Sequence, residues 1–104
     1  EFKIVRGYPY LRNEERLAAE VRQLAGEYMG PENVLEGDIW MAGEDFAYYS
    51  QQTDACFYLL GAGNAAKGIT SSLHTPTFEV EEQALALSTG LMAYLALQQL
   101  NFRE

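Results

Sequence analysis

The sequence predicts an α/β fold, and three observations predict it. An alternating, strand-like segment opens the chain. A continuous apolar run at residues 55–60 is bounded by Asp54 and Gly61. Helical periodicities lie between and after them, so the order reads β-α-β-α-β-α.

In residues 1–8, Phe2, Ile4 and Tyr8 share one side, the pattern of a half-buried strand. Gly7, Pro9 and Asn13 then punctuate a turn. Asn13 is the expected N-cap of a helix over residues 14–29, with Glu14 and Glu15 near the positive end of its dipole. Leu17, Val21, Leu24 and Tyr28 give that helix one packed face, and Gly30-Pro31 stops it. Residues 33–40 read as a short strand with an irregular middle at Gly37-Asp38. Met41-Ala42-Gly43 reads as a loop and residues 44–51 as a short helix. Residues 55–60 form the clearest buried strand, after which Gly61-Ala62-Gly63-Asn64 turns the chain into a small, polar loop. A long helix over residues 80–100 starts behind Glu79, Glu81 and Glu82. It is apolar on more than one face, which predicts heavy burial. The first strand reads as separate from the rest, with residues 8–13 as a crossing between two domains.

The composition bounds the function. A chain of 104 residues, 48% of them hydrophobic, is enough for a core and too apolar for disorder. The net charge of −8, with seven scattered basic residues, argues against nucleic-acid binding. No apolar run reaches the roughly 18 residues of a membrane span. One cysteine, Cys56, makes no internal disulfide, which fits a reducing, cytoplasmic setting. Its place in the apolar run predicts an inert core thiol. The Gly61 to Asn64 turn resembles half of a phosphate loop. It lacks the third glycine and the following helix, so a plain chain reversal explains it better.

Two segments carry chemistry. His74, the only histidine, sits in Leu73-His74-Thr75-Pro76-Thr77-Phe78. Imidazole is the commonest metal ligand among side chains. One imidazole does not hold zinc, which takes three or four protein ligands. Either His74 binds nothing, or its partner ligands lie on another segment or chain. The second segment, Met41-Ala42-Gly43-Glu44-Asp45-Phe46, ends a small-residue turn in paired carboxylates. Glu44 and Asp45 suit acid/base work, ligation, or plain helix N-terminal charge. Ala42 and Gly43 would let a substrate approach the backbone. Both segments are expected to meet at one strand-end rim.

These segments, with Phe57-Tyr58-Leu59-Leu60-Gly61-Ala62-Gly63-Asn64 between them, resemble the C-terminal part of the aminoacylase/carboxypeptidase-type zinc metallopeptidases. The branch they resemble comprises the amidohydrolases of N-acyl amino acids: hippurate hydrolases, auxin-conjugate hydrolases and N-acetyl-diaminopimelate deacetylases. Order and spacing match across nearly the whole chain. The resemblance implies a three-layer α/β/α zinc-exopeptidase-like catalytic domain interrupted by a lid domain that often dimerises. On this reading residues 1–9 are the last strand of the lid, and residues 10–104 are the C-terminal portion of the catalytic domain. His74 matches the final histidine ligand of a two-metal site holding zinc, or else manganese, cobalt or nickel. Ala42, Gly43, Glu44 and Asp45 match a loop near the substrate pocket.

The family's other ligands, its general-base glutamate and its lid histidine lie upstream of the matching region. The resemblance therefore implies no catalytic residue in this chain, and an isolated piece that does not turn over. The complete protein is expected to hydrolyse N-acyl amino acids or small peptides with metal-activated water, as a homo-oligomer, with no nucleic-acid or membrane partner. The alternative is a self-contained acidic α/β interaction module with a structural histidine. A half-domain would also leave apolar surface open to self-association.

Overall fold

Helix α1, Glu15–Met29, starts one residue later than the periodicity predicts, because Glu14 rather than Asn13 caps it. The Glu14 carboxylate accepts hydrogen bonds from the N–H groups of Leu17 (2.7 Å) and Arg16 (3.1 Å). These two bonds, Leu17's first, hold its carboxyl below the usual carboxylate range. Leu24 and Ala25 are buried, and Leu17 and Val21 are half-buried, so the predicted face does pack. The helix stops at Gly30, whose φ of 92° suits glycine, and whose N–H returns to the Gly26 carbonyl at 2.9 Å. A 3-10 turn, Pro31–Asn33, follows, and Asn33 Nδ2 donates to the Met29 carbonyl at 2.6 Å.

The structure is a computed structural model, and it describes residues 1–101. Two further helices are α2, Ala47–Ser50, and α3, Gln83–Asn101. The chain divides into two compact units, Glu1–Tyr58 and Leu59 onward. No helix among the described residues is long and apolar enough to cross a membrane.

The α/β expectation fails. The described residues hold helices, turns and extended segments but no sheet, so neither a three-layer α/β/α arrangement nor an opening lid strand is present. Pairing is limited to one isolated antiparallel bridge between Asn64 and Ile69. The reason is that period-two patterning encodes which face a strand would bury, whereas a strand exists only where a neighbour completes its ladder. Residues 1–8 have the pattern and no neighbour: Phe2 and Ile4 are almost fully exposed. Residues 33–40 likewise leave Leu35, Ile39 and Trp40 exposed. An ion pair between Arg22 and Glu36 ties this segment to α1.

Residues 55–60 are also not a strand, and what replaces the neighbour is informative. The side-chain amide of Asn13 donates to the Phe57 carbonyl at 2.8 Å and accepts from the Phe57 N–H at 2.7 Å. The Glu14 N–H donates to the Ala55 carbonyl at 3.0 Å. One asparagine side chain thus satisfies both backbone groups of Phe57, and for that reason it is not available as a helix cap. Phe57 also packs against Phe46, with ring centroids 5.5 Å apart.

The core is thin. Among the described residues, those buried in the first unit are Leu24, Ala25, Ala47 and Ala55, and those in the second are Ala84, Leu91 and Leu95. Helix α3 therefore departs from the heavy burial predicted for it. Its Ala84, Leu91, Leu95 face packs, while Leu85, Met92, Leu97 and Leu100 are each more than half exposed.

Candidate functional site

Ala42, Gly43, Glu44 and Asp45 lie in the first unit, ahead of α2. The half-buried Glu44 carboxylate accepts from the Phe46 N–H at 3.0 Å, and the Glu44 carbonyl accepts from the Ala47 N–H at 3.2 Å. The Asp45 carbonyl accepts from the Tyr48 N–H at 3.0 Å, and Asp45 is exposed. The two carboxylates therefore differ. Glu44 folds back onto the turn ahead of α2, bonding its own backbone two residues on. Asp45 faces solvent.

Gly43 is small for a reason the sequence does not display. A Cβ there would stand 2.9 Å from Cδ2 of Tyr8. The Tyr8 ring thus lies over the glycine, and it meets Tyr48 edge-on at 5.7 Å between centroids. Close approach to the Gly43 backbone is real, and the group that makes it is this chain's own tyrosine.

His74 lies in the second unit, on an exposed turn. It is the one non-glycine residue with positive φ among the described residues, at 62°. Left-handed backbone is uncommon for side-chain-bearing residues and costs of order 1 kcal/mol, so something nearby must enforce it. The turn supplies that. Thr75 Oγ1 donates to the Ser72 carbonyl at 2.8 Å. Pro76, at a position that favours its fixed φ, lets the Phe78 N–H close onto the Thr75 carbonyl at 3.1 Å. The hydroxyls of Ser71 and Thr77 meet at 2.8 Å across the loop. The imidazole makes no hydrogen bond or ion pair among the described residues, so both ring nitrogens are open.

Among the described residues no three His, Cys, Asp or Glu side chains gather where they could share a metal ion. The donor chemistry of His74, an accessible and unpartnered imidazole on a rigid turn, fits one ligand of a metal whose remaining ligands come from elsewhere. The described residues do not supply a complete site by themselves.

Three residues around this loop were not singled out from the sequence as a group. Asn64 Nδ2 donates to Glu81 Oε2 at 2.7 Å, and Lys67 Nζ lies 3.0 Å from Oε1 and 2.9 Å from Oε2 of the same carboxylate. Lys67 first, then Asn64, hold the Glu81 carboxyl below the usual carboxylate range. The acidic start of α3 was legible, and Asn before Ala-Ala-Lys is a capping pattern. Nothing in the spacing reveals that the two would meet.

A family model described as Peptidase family M20/M25/M40 matches residues 1–98. The protein named IAA-amino acid hydrolase ILR1-like 4, of Arabidopsis thaliana, is 32% identical over 93 residues, which is 89% of this chain and 21% of that protein. The putative amidohydrolase YhaA of Bacillus subtilis (strain 168) is 30% identical over 97 residues, 93% of this chain and 24% of that protein. An uncharacterized hydrolase, SH1513, of Staphylococcus haemolyticus (strain JCSC1435) is 35% identical over 86 residues, 82% of this chain and 22% of that protein. The chain thus spans between a fifth and a quarter of the length of these relatives. No solved structure matches.

Proposed function

Because the chain belongs to peptidase family M20/M25/M40, we propose that it is the C-terminal part of a metal-dependent amidohydrolase that cleaves the amide bond of N-acyl amino acids or small peptides. The relatives named as an amino acid hydrolase and an amidohydrolase support the bond type. The observation that carries the metal role is the His74 turn: an exposed imidazole without a partner, on backbone held at φ 62°. Residues 1–9 belong to a lid domain and residues 10–104 to the catalytic domain. The active form is a homo-oligomer.

His74 offers one ring nitrogen to a divalent ion, with the other ligands and the general base coming from outside this chain. When bound, a pair of divalent ions supplies the Lewis acidity that makes water nucleophilic near neutral pH. Zinc is the first choice for a site with an imidazole ligand. Ala42, Gly43, Glu44 and Asp45 border the substrate pocket. Asp45 faces outward there, while Glu44 keeps the turn in shape through its bond to the Phe46 N–H. This chain alone binds zinc weakly and does not turn over.

The test is His74→Ala in the full-length protein. Zinc affinity and hydrolysis of hippurate should both fall by more than about 100-fold, beyond what loss of an outer-shell group costs. The melting temperature of the metal-free protein should not change. Full activity in this variant would remove His74 from the site.

A further inference from the structure

We propose that Asn64 and Glu81 are positioning residues that set where the His74 imidazole is presented, by closing both ends of its loop on a single residue, Asn64. The inference rests on the reading of His74 as a metal ligand and adds to it the device that aims that ligand.

Among the described residues the loop is tied at its base. At one end the Asn64 N–H donates to the Ile69 carbonyl, and the Ile69 N–H to the Asn64 carbonyl, both at 2.9 Å. At the other end Asn64 Nδ2 holds the Glu81 carboxylate at 2.7 Å, and the Glu81 N–H donates to the Ala62 carbonyl at 2.8 Å. Asn64 is therefore bonded to the residue that enters the loop and to the residue that leaves it. Its remaining amide oxygen accepts from the Lys67 N–H at 3.3 Å, which fixes its rotamer.

Between these anchors, the hydrogen bonds of residues 70–80 among the described residues are internal: Ser71 with Thr77, Thr75 with Ser72, and Phe78 with Thr75. The tip is a small rigid piece whose attitude depends on its base. Closing the loop there removes chain entropy that metal binding would otherwise have to remove. The Glu81 side chain is only 12% exposed, so its bonds to Asn64 and Lys67 compete little with water. Groups that orient a metal ligand without touching the metal typically change affinity by about 10–100-fold.

The experiment uses the full-length protein, with zinc affinity read by competition against a chelator. Asn64→Asp reverses the donor facing Glu81 into a second carboxylate while keeping an acceptor for the Lys67 N–H. Zinc affinity should fall about 10-fold with little change in melting temperature. Amide exchange in peptides covering residues 70–79 of the metal-free protein should quicken. Adding Glu81→Gln to Asn64→Asp restores a donor-acceptor pair of inverted polarity and should return affinity to within about threefold of the parent. Parent-like affinity in Asn64→Asp, or no recovery in the double variant, would overturn the proposal. If Asn64→Asp does not fold, Glu81→Gln alone does not test the link. That variant keeps an oxygen that accepts from Asn64 Nδ2, so Glu81→Ala is used in its place: it removes the acceptor for Asn64, should still quicken loop exchange and weaken zinc, and parent-like values for both would overturn the proposal. His74→Ala, run alongside, separates the two readings. Loss of zinc in His74→Ala with none in Asn64→Asp sinks the positioning role alone. Undiminished zinc binding in His74→Ala sinks the ligand role and the positioning role with it.

Discussion

Asn13 and Asn64 organise the two units with the same side chain used in opposite ways. In the first unit Asn13 gives both ends of its amide to one backbone residue, Phe57, and so stands in for a missing strand neighbour. In the second unit Asn64 divides its amide between a helical turn and a carboxylate, and so joins segments seventeen positions apart. The first link is neutral. The second is completed by the charges of Glu81 and Lys67. A neutral amide-to-backbone link holds at any pH, whereas a link through a carboxylate responds to acid. Of the two asparagine links, the one in the unit that carries His74 is thus the one that responds to acid.

Mutations can break or sharpen this contrast. The largest effect is expected from the thin core that both links support. Leu91→Ala removes one of three buried side chains of the second unit and should cost about 2–5 kcal/mol by urea denaturation of the full-length protein. A cost near zero would show that polar links, not burial, hold that unit. Asn13→Ala deletes both bonds to Phe57 and should cost about 1–3 kcal/mol, equally at pH 4 and pH 7. A pH-dependent cost would erase the distinction between the two asparagines. Gly43→Ala should push the Tyr8 ring off the turn and lose its edge contact with Tyr48, worth about 0.5–1.5 kcal/mol. Unchanged ring chemical shifts of Tyr8 would refute that packing.

The smallest effect is the most diagnostic. Because the folded-state pKa of Glu81 is depressed, its contribution is complete above the ordinary carboxylate value of about 4.3. It is lost as pH falls through the lowered folded value. The stability difference between the parent and Glu81→Gln should therefore be constant from pH 8 to about pH 5 and shrink toward pH 3. A difference that grows in acid would reverse the sign of the argument.

The helices were legible because their signals are local. Glu15–Met29 shows a packed stripe, a capping carboxylate one residue ahead, and Gly30-Pro31 behind it, all within one stretch of chain. The strands were misread because their signal is half of a relation. Residues 1–8 and 55–60 carry apolar patterns suited to a sheet, but no second extended segment among the described residues pairs with them. Asn13 shows how the misreading arises. Its capping propensity is real, yet a bond to Phe57, 44 positions away, uses that same amide. At the site, the exposed loop around His74 followed from Pro76 and its polar neighbours. Its left-handed backbone and its base at Asn64 and Glu81 did not, because both depend on where distant residues come to rest.

Cys56 has a consequence of a different kind. Its thiol is half-buried, and burial pushes its pKa above the ordinary cysteine value. Alkylating agents, peroxides and mixed disulfides all react through the thiolate, and a thiol held protonated near neutral pH presents very little of it. Oxidation and alkylation at this sulfur are therefore slowed. Labelling of Cys56 by iodoacetamide near neutral pH should run more slowly than that of a cysteine in an unstructured peptide, and an equal rate would contradict this.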